Sequence, residues 1–161
     1  MRPALHILAI TILSLLLLAC DRPFMVMAGG ELEGAVAQPP AAWDFEEVSG
    51  LAQLETRPAA AYSINIAYVQ IEQRLYVYAG NTRTNWVEHL EQNPLARIRI
   101  DETIYPVVAV RVDDTVELDK FALQWASRSV FQRDPKQFDE VWLYRLEPRP
   151  GPAETPDQPG A

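Results

Sequence analysis

Residues 62–79 read YSINIAYVQIEQRLYVYA, and this stretch decides the fold. In its first half, large apolar side chains occupy every second position: Tyr62, Ile64, Ile66 and Tyr68. The second half repeats the alternation with Leu75, Val77 and Ala79. Aromatic and β-branched residues at a period of two are typical of strands. Because only the polar pair Glu72 and Gln73 separates the two runs, the stretch predicts a β-hairpin.

Five further segments have the composition of strands. They are residues 31–37, 51–57, 96–100, 104–112 and 141–146. Pro106 cannot donate a hydrogen bond to a neighbouring strand, so it is expected at an edge or a bulge. Seven strands joined mainly as hairpins predict a mostly β fold, of α+β type, built on a small antiparallel barrel.

Two segments predict helices. Asn85 is expected to cap the first helix, with Glu88 as its capping-box partner, and Pro94 to end it. Asp114 is expected to cap the second helix, again with an acid, Glu117, at the third position. The second helix has one apolar stripe at helical spacing, formed by Leu118, Phe121, Ala122 and Trp125.

The N-terminus has the three zones of a secretory signal. Arg2 supplies one positive charge, residues 5–18 are almost wholly apolar, and residues 17–20 read LLAC. The apolar run is shorter than the roughly twenty residues that a membrane span needs. Residues 17–20 resemble the bacterial lipobox, which implies that Cys20 takes a diacylglycerol and becomes the first residue of the mature chain. The alternative is an uncleaved anchor helix with an incidental cysteine.

Lipidation at Cys20 predicts attachment to a lipid bilayer, on the periplasmic or extracytoplasmic side of the cell membrane. Removing the signal takes away one of 14 basic residues and none of 22 acidic ones, which leaves a net charge of −9. That charge argues against nucleic acid as a partner and against an anionic lipid surface, so attachment should depend on the acyl chains. Because Cys20 is the only cysteine, the mature domain has no disulfide and no thiolate metal site.

The chain divides into four predicted regions. Residues 1–19 are the signal peptide, residues 20–30 a lipidated tether, and residues 31–147 one folded domain. Residues 148–161 are rich in proline and are expected to be disordered.

The order of motifs in residues 54–112 resembles the split β-barrel superfamily of flavin- and deazaflavin-binding proteins. That superfamily includes pyridoxamine-phosphate-oxidase-like proteins and deazaflavin-dependent nitroreductases. The motifs lie at residues 57–58 (RP), 62–69 (YSINIAYV), 74–78 (RLYVY), 84–90 (TNWVEHL), 93–94 (NP) and in the closing hairpin, 96–112. The resemblance implies a small split antiparallel barrel with two helices.

The resemblance also implies a cofactor, flavin mononucleotide or a deazaflavin, with its phosphate near the loop before the first helix. The cofactor-binding residues expected on this basis are Arg57, Asn81, Thr82, Arg83, Thr84 and Trp86. The start of a helix offers free backbone donors and a positive dipole end to an anion. Two departures count against the cofactor: the loop is poor in Gly, Ser, Lys and Arg, and the deazaflavin branch's long basic insertion is absent.

These side chains also have purely structural interpretations. The alternative for Arg83 is an exposed position beside a capped helix, and Glu88 in the first turn disfavours a bound anion. Trp86 is expected to anchor the helix on the barrel rather than to stack on a flat ring. His89 is the only histidine of the mature chain and is expected at the surface.

Two functions are compatible with these patterns. The first, which we favour, is a membrane-anchored, non-catalytic module that binds a small ligand or pairs with a second copy of the chain. The second is a tethered flavin- or deazaflavin-dependent reductase, in which Arg57 and Arg83 hold the phosphate and Trp86 borders the ring. The few basic groups in the loop favour the first, and a homodimer is compatible with either. The sequence shows no nucleophile elbow, paired metal ligands or Gly-rich phosphate loop, so hydrolase and metalloenzyme functions have no support.

Overall fold

The structure, a computed structural model, describes residues 27–57, 59–127 and 133–149. The predicted signal, Cys20 and most of the predicted tether and tail lie outside these residues. The strands are β1 Ala35–Val36, β2 Ser49–Thr56, β3 Tyr62–Ile71, β4 Arg74–Gly80, β5 Leu95–Ile100, β6 Thr103–Arg111 and β7 Val141–Pro148. The α-helices are α1 Asn85–Gln92 and α2 Thr115–Ser127, and a short 3₁₀ helix spans Pro135–Gln137.

Six of the strands form a closed barrel. The order in the sheet is β1-β6-β5-β2-β3-β4-β7, and β6 also pairs with β7, which closes the ring. Every pairing within the ring is antiparallel, whereas β1 is an additional strand parallel to β6. The predicted fold, a small and mostly β barrel with two helices, is therefore confirmed.

The hairpin predicted from residues 62–79 is present. Glu72 and Gln73 form its two-residue turn with φ of 49° and 64°, as a tight hairpin turn requires. The pairing of β3 with β4 stops at Tyr68 and Val77. Beyond that point β3 pairs only with β2 among the strands, and β4 pairs with β7, so the two strands diverge.

The barrel interior is filled by side chains. The alternating residues of the hairpin that were predicted to share a face all belong to this interior core. They meet fully buried residues from the other strands, among them Leu54, Ile98 and Val107. As in other small barrels, side chains rather than a cavity occupy the axis.

Helix α2 packs on the outside of the barrel. Phe121 is fully buried and contacts the rings of Tyr76 and Tyr78, which point outward from β4. The Oδ1 atom of Asp114 accepts a hydrogen bond of 2.8 Å from the backbone nitrogen of Glu117, so the predicted cap is confirmed.

The side chain of Glu117 fastens α2 to the sheet. Its Oε1 accepts from the Tyr76 hydroxyl at 2.6 Å, and both its oxygens accept from Nη1 of Arg145, at 2.6 and 2.8 Å. Burial alone would raise the pKa of Glu117, but the hydrogen bonds from Tyr76 and Arg145 outweigh it and lower that pKa. Burial and the neighbouring carboxylate together raise the pKa of Tyr76 to about 12.

Two predicted details are wrong. The first strand is only Ala35–Val36, not residues 31–37, because the chain leaves the sheet on either side of these two residues. Thr84, not Asn85, is the N-cap of α1, and no side chain caps that helix. Asn85 already lies in the first turn, so the proposed capping box with Glu88 does not form.

Residues 29–37, which we call the strap, cross the outside of the barrel. Gly29 exchanges two backbone hydrogen bonds with Ser63 of β3, at 2.8 and 2.9 Å. The backbone nitrogen of Leu32 then donates to the buried carboxylate of Glu55 at 2.6 Å, and Arg97 donates to both Glu55 and the carbonyl of Leu32. The strap thus covers the ion pair between Glu55 and Arg97 on the outer face of β2 and β5, and it supplies further hydrogen-bond partners to both side chains.

Truncating Phe121 should test how far the fold depends on the outer cluster. We expect Phe121→Ala to lower the free energy of unfolding by about 3 to 5 kcal/mol, because it leaves a cavity under α2. Leu123→Ala is the matched control, since Leu123 lies on the same helix with 75% of its surface exposed, and it should cost no more than about 0.5 kcal/mol. Urea denaturation of both variants measures the difference, and equal losses would show that α2 does not depend on Phe121.

Candidate functional site

The loop before α1 is held by backbone contacts to the start of β7. Asn81 has φ of 66°, and its backbone nitrogen donates to the carbonyl of Glu140 at 2.9 Å. The backbone nitrogen of Thr82 donates to Gly80 at 2.8 Å. Thr84 supplies the carbonyl that accepts from Val87 at 3.0 Å. The fold itself therefore supplies backbone partners for this loop.

Arg83 does not point at the start of α1 as a free cation. Its Nη2 atom forms a close ion pair with Glu91 in the last turn of the helix. The hydrogen bond from Arg83 to Glu91 raises the pKa of the guanidinium. An anion near this arginine would have to compete with a carboxylate that is already in place.

Trp86 is buried and packs edge-on against Tyr144 of β7, with ring centroids 5.7 Å apart. This position is the helix anchor that the sequence predicts. The hydroxyl groups of Thr84 and Tyr144 are both buried; that of Thr84 has no hydrogen-bond partner among the described residues, and that of Tyr144 has only the Arg111 guanidinium nearby. Burial raises the pKa of Tyr144, and the charge of Arg111, whose guanidinium lies over the ring at 5.6 Å, opposes that shift.

Arg57 belongs to a different cluster. It has φ of 56°, folds back on its own loop, and donates to the carbonyl of Ala60 through two nitrogens, at 3.1 and 2.9 Å. Its guanidinium lies 5.9 Å from the ring of Tyr62, which in turn contacts His89 edge-on at 4.9 Å. The Nδ1 atom of His89 lies 2.9 Å from Oγ1 of Thr56.

His89 is therefore half-buried rather than a simple surface residue, and its partner is a hydroxyl rather than a carboxylate. Burial lowers the pKa of His89, the charge of Arg57 lowers it further, and Glu88 acts in the opposite direction.

The predicted cofactor-binding residues thus fall into two groups. Asn81, Thr82, Arg83, Thr84 and Trp86 lie together, whereas Arg57 lies beside His89.

These residues do not fit a flavin phosphate well. Of the two arginines expected to hold it, Arg83 is paired with Glu91 and Arg57 is bound to a carbonyl of its own loop. The indole of Trp86, which was to border the ring, is inside the barrel core. The first turn of α1 also carries Glu88, which opposes a bound anion.

A separate cavity opens at the other end of the barrel. The segment before β2 crosses this end, and the backbone nitrogen of Trp43 donates to Gln73 at 2.9 Å. Trp43 stacks on Phe45 and meets Tyr105 edge-on, at 5.5 and 5.2 Å between centroids. Beside it lies a cavity of about 280 Å³, which we call the mouth cavity, lined by Ala41, Trp43, Gln73, Arg74, Arg145, Leu146, Glu147 and Pro148.

No sequence pattern indicates the mouth cavity. Trp43 stands out only as part of a short alternating piece, and Arg74 as the first residue of a strand. These positions are 31 residues apart in the chain and meet because the segment before β2 is hydrogen-bonded to the turn between β3 and β4. Within the described ranges, no group of three or more His, Cys, Asp and Glu side chains could hold a metal ion. None of the helices described has the length and apolar character that a membrane span requires.

The fold is similar to those of solved split-barrel proteins. A candidate pyridoxamine 5′-phosphate oxidase from Listeria innocua matches with 11% identity and a TM-score of 0.50, over 62% of this chain and 84% of that one. A NimC/NimA family protein from Clostridium acetobutylicum matches with 15% identity and a TM-score of 0.47, over 61% and 73%. General Stress Protein 26 from Bacillus anthracis matches with 18% identity and a TM-score of 0.46, over 61% and 78%.

No protein-family model matches this chain, and no curated protein matches it. At 11% identity, the likeness to the Listeria protein shows the fold alone. The chain is thus a split β-barrel of the pyridoxamine-phosphate-oxidase-like fold, as the sequence motifs implied.

The placement of Arg57 near His89, and of Arg83 away from it, can be tested by titrating His89. Residues 20–161 contain no other histidine, so in a protein of these residues its imidazole signals are unambiguous in NMR spectra. We expect His89 to titrate below its ordinary value of 6.5, and Arg57→Gln to raise the pKa because a nearby positive charge is removed. Arg83→Gln is the matched control and should leave the titration unchanged.

The lowered pKa of His89 also determines how the stability of the protein depends on pH. The pKa of His89 is lower in the folded state than in the unfolded state, so the contribution of this residue to stability is fully present above the unfolded-state pKa. That contribution is lost as the pH falls through the folded-state pKa. A pKa that responded equally to both arginine variants would contradict the arrangement described.

Proposed function

We propose that this protein is a membrane-anchored envelope lipoprotein whose split barrel is a non-catalytic binding module for a small ligand. Under this proposal residues 1–19 are removed, Cys20 carries the lipid, and residues 20–30 lead into the domain. Residues 31–147 hold the binding function, and the Pro-rich residues 148–161 are an appended tail.

One observation carries the non-catalytic part of the proposal. The side chains that a flavin would need are engaged within the fold: Arg83 with Glu91, Arg57 with its own loop, and Trp86 with the core. Releasing Arg83 would leave Glu91 without its cation, beside a buried Tyr144 hydroxyl. A flavin phosphate would also meet a mature chain with a net charge of −9.

The anchoring part rests on the sequence. A charged start, a short apolar run and a cysteine after LLA are the features that lipoprotein processing requires. Gly29 is already hydrogen-bonded to Ser63, so eight residues lie between Cys20 and this contact with the barrel. Such a short tether would keep the barrel close to the bilayer, within about 30 Å.

A reductase remains the second candidate because of one feature. The start of α1 has no side-chain cap, and the nearby hydroxyl group of Thr84 has no partner among the described residues. Free donors at a helix start are where an anion binds. If a flavin were bound it would supply the electron transfer, and Thr84 and the start of α1 would hold its phosphate.

Cofactor binding separates the two candidates. The purified mature protein should show no visible absorbance, and titration with flavin mononucleotide or a deazaflavin should give no saturable binding by calorimetry. The arginine variants Arg83→Ala and, at the opposite end of the barrel, Arg74→Ala serve as a pair. Tight flavin binding that Arg83→Ala weakens and Arg74→Ala does not would replace the module with the reductase.

Anchoring is tested by replacing the lipidated residue. We expect the wild-type chain to fractionate with membranes and to begin at an acylated Cys20 by mass spectrometry. Cys20→Ala should lack the acyl mass and lose the processed N-terminus, because the thiol is the acceptor of the lipid. An intact Met1 start, or an unmodified thiol on a protein recovered from the cytosol, would overturn the envelope location.

A further inference from the structure

The mouth cavity combines an apolar wall with two opposite charges that do not satisfy each other. Ala41 and Pro148 are exposed and supply the apolar side, Trp43 and Leu146 lie beneath them with 2% of their surface exposed, and Arg74 and Glu147 supply the charges. In the register of β4 and β7, Leu75 lies opposite Leu146, so Arg74 and Glu147 occupy the next opposing positions. In the part of the chain that the structure describes, no ion pair joins them.

Each of the two charges has capacity left for a ligand. Among the described residues, the carboxylate within 4.0 Å of Arg74 is that of Glu117, which already accepts hydrogen bonds from Arg145 and Tyr76. Arg74 also interacts with the Tyr76 hydroxyl. The side chain of Arg74 is 57% exposed. Glu147 contacts Arg145 only through its Oε1 atom and is 47% exposed, so its second oxygen faces no cation.

The local charges cancel, which limits the kind of ligand. Arg74 and Arg145 are balanced by Glu117 and Glu147, so the cavity has no net charge to attract a bare anion or a bare cation. The mature chain adds a field of nine negative charges, which repels anions further. A molecule with both a carboxylate and an ammonium group meets an opposite charge at each end and carries no net charge.

The size of the cavity sets an upper limit. A volume of about 280 Å³ lies just below the range for drug-sized small-molecule sites, about 300 to 1,000 Å³. It leaves room for one molecule of about the size of an amino acid. The floor of the cavity is rigid, because Trp43 is buried and packed between Phe45 and Tyr105.

We propose that the mouth cavity binds a small zwitterion of the free amino acid class. Arg74 receives the carboxylate, Glu147 receives the ammonium group, and the exposed side chains of Ala41 and Pro148 border the ligand's apolar side chain. This inference rests on the proposed function as a binding module, for which it names a site and a ligand class. It uses the end of the barrel opposite to α1, so it does not depend on the outcome of the flavin titration.

The test uses the purified mature protein and the twenty common amino acids as probes, with binding measured by calorimetry. At least one apolar amino acid should bind, and Arg74→Gln and Glu147→Gln should each weaken it by about tenfold or more, because each removes a charge-assisted hydrogen bond. Both side chains are half exposed, so the variants should keep the wild-type melting temperature. Arg83→Gln, at the other end, is the matched control and should bind as the wild type does.

Two analogues of the bound amino acid complete the experiment: the acid without its ammonium group and the amine without its carboxylate. Both should bind at least about tenfold more weakly than the parent zwitterion. The proposal is overturned if no amino acid binds, if either analogue binds as well as the parent, or if the Arg74 and Glu147 variants retain full affinity. Flavin binding at α1 would instead overturn the proposed non-catalytic function, but it would not affect the conclusion about amino-acid binding in the mouth cavity.

Discussion

The pairing of β6 with β7 is the interaction on which the rest of the structure depends. Without it the ring of six strands would be an open sheet with exposed edges, which attract other strands. With it, alternate residues of every strand face a common axis, and side chains such as Leu54, Ile98 and Leu146 fill that axis. Because the interior of a six-stranded barrel is solid, any ligand must bind at an end or on the outside.

The pairing of charged side chains explains which of these positions on the barrel can bind a ligand. Acidic residues outnumber basic ones by 22 to 14, so arginines that fold onto this barrel readily find a carboxylate. Arg97 is held by Glu55, Arg145 by Glu117 and Arg83 by Glu91. An arginine in such a pair stabilises the fold but has little capacity for a phosphate. The expected flavin site is weakened for this reason, although its loop and helix are where the sequence motifs put them.

Local periodicity made most of the fold predictable. The alternation in residues 62–79 marked the hairpin, and the spacing of Phe121, Ala122 and Trp125 marked the buried face of α2. Prediction failed where single contacts replace a repeating pattern. Residues 31–37 alternate like a strand, but Leu32 is bound by the side chains of Glu55 and Arg97 rather than by a neighbouring strand. At α1, Thr84 and Asn85 are both good capping residues, and sequence alone could not decide between them.

The sequence by itself determined most of the strands, the two helices and the barrel class, because each depends on residues close together in the chain. Only the tertiary structure decided which charged side chains are paired within the fold and which stay available to a ligand. Glu117 meets Tyr76 across 41 residues, and Arg97 meets Glu55 across 42. Trp43 reaches Arg74 because the segment before β2 crosses the end of the β3–β4 hairpin. Partners so distant are chosen by the register of the strands, and no local pattern records that choice.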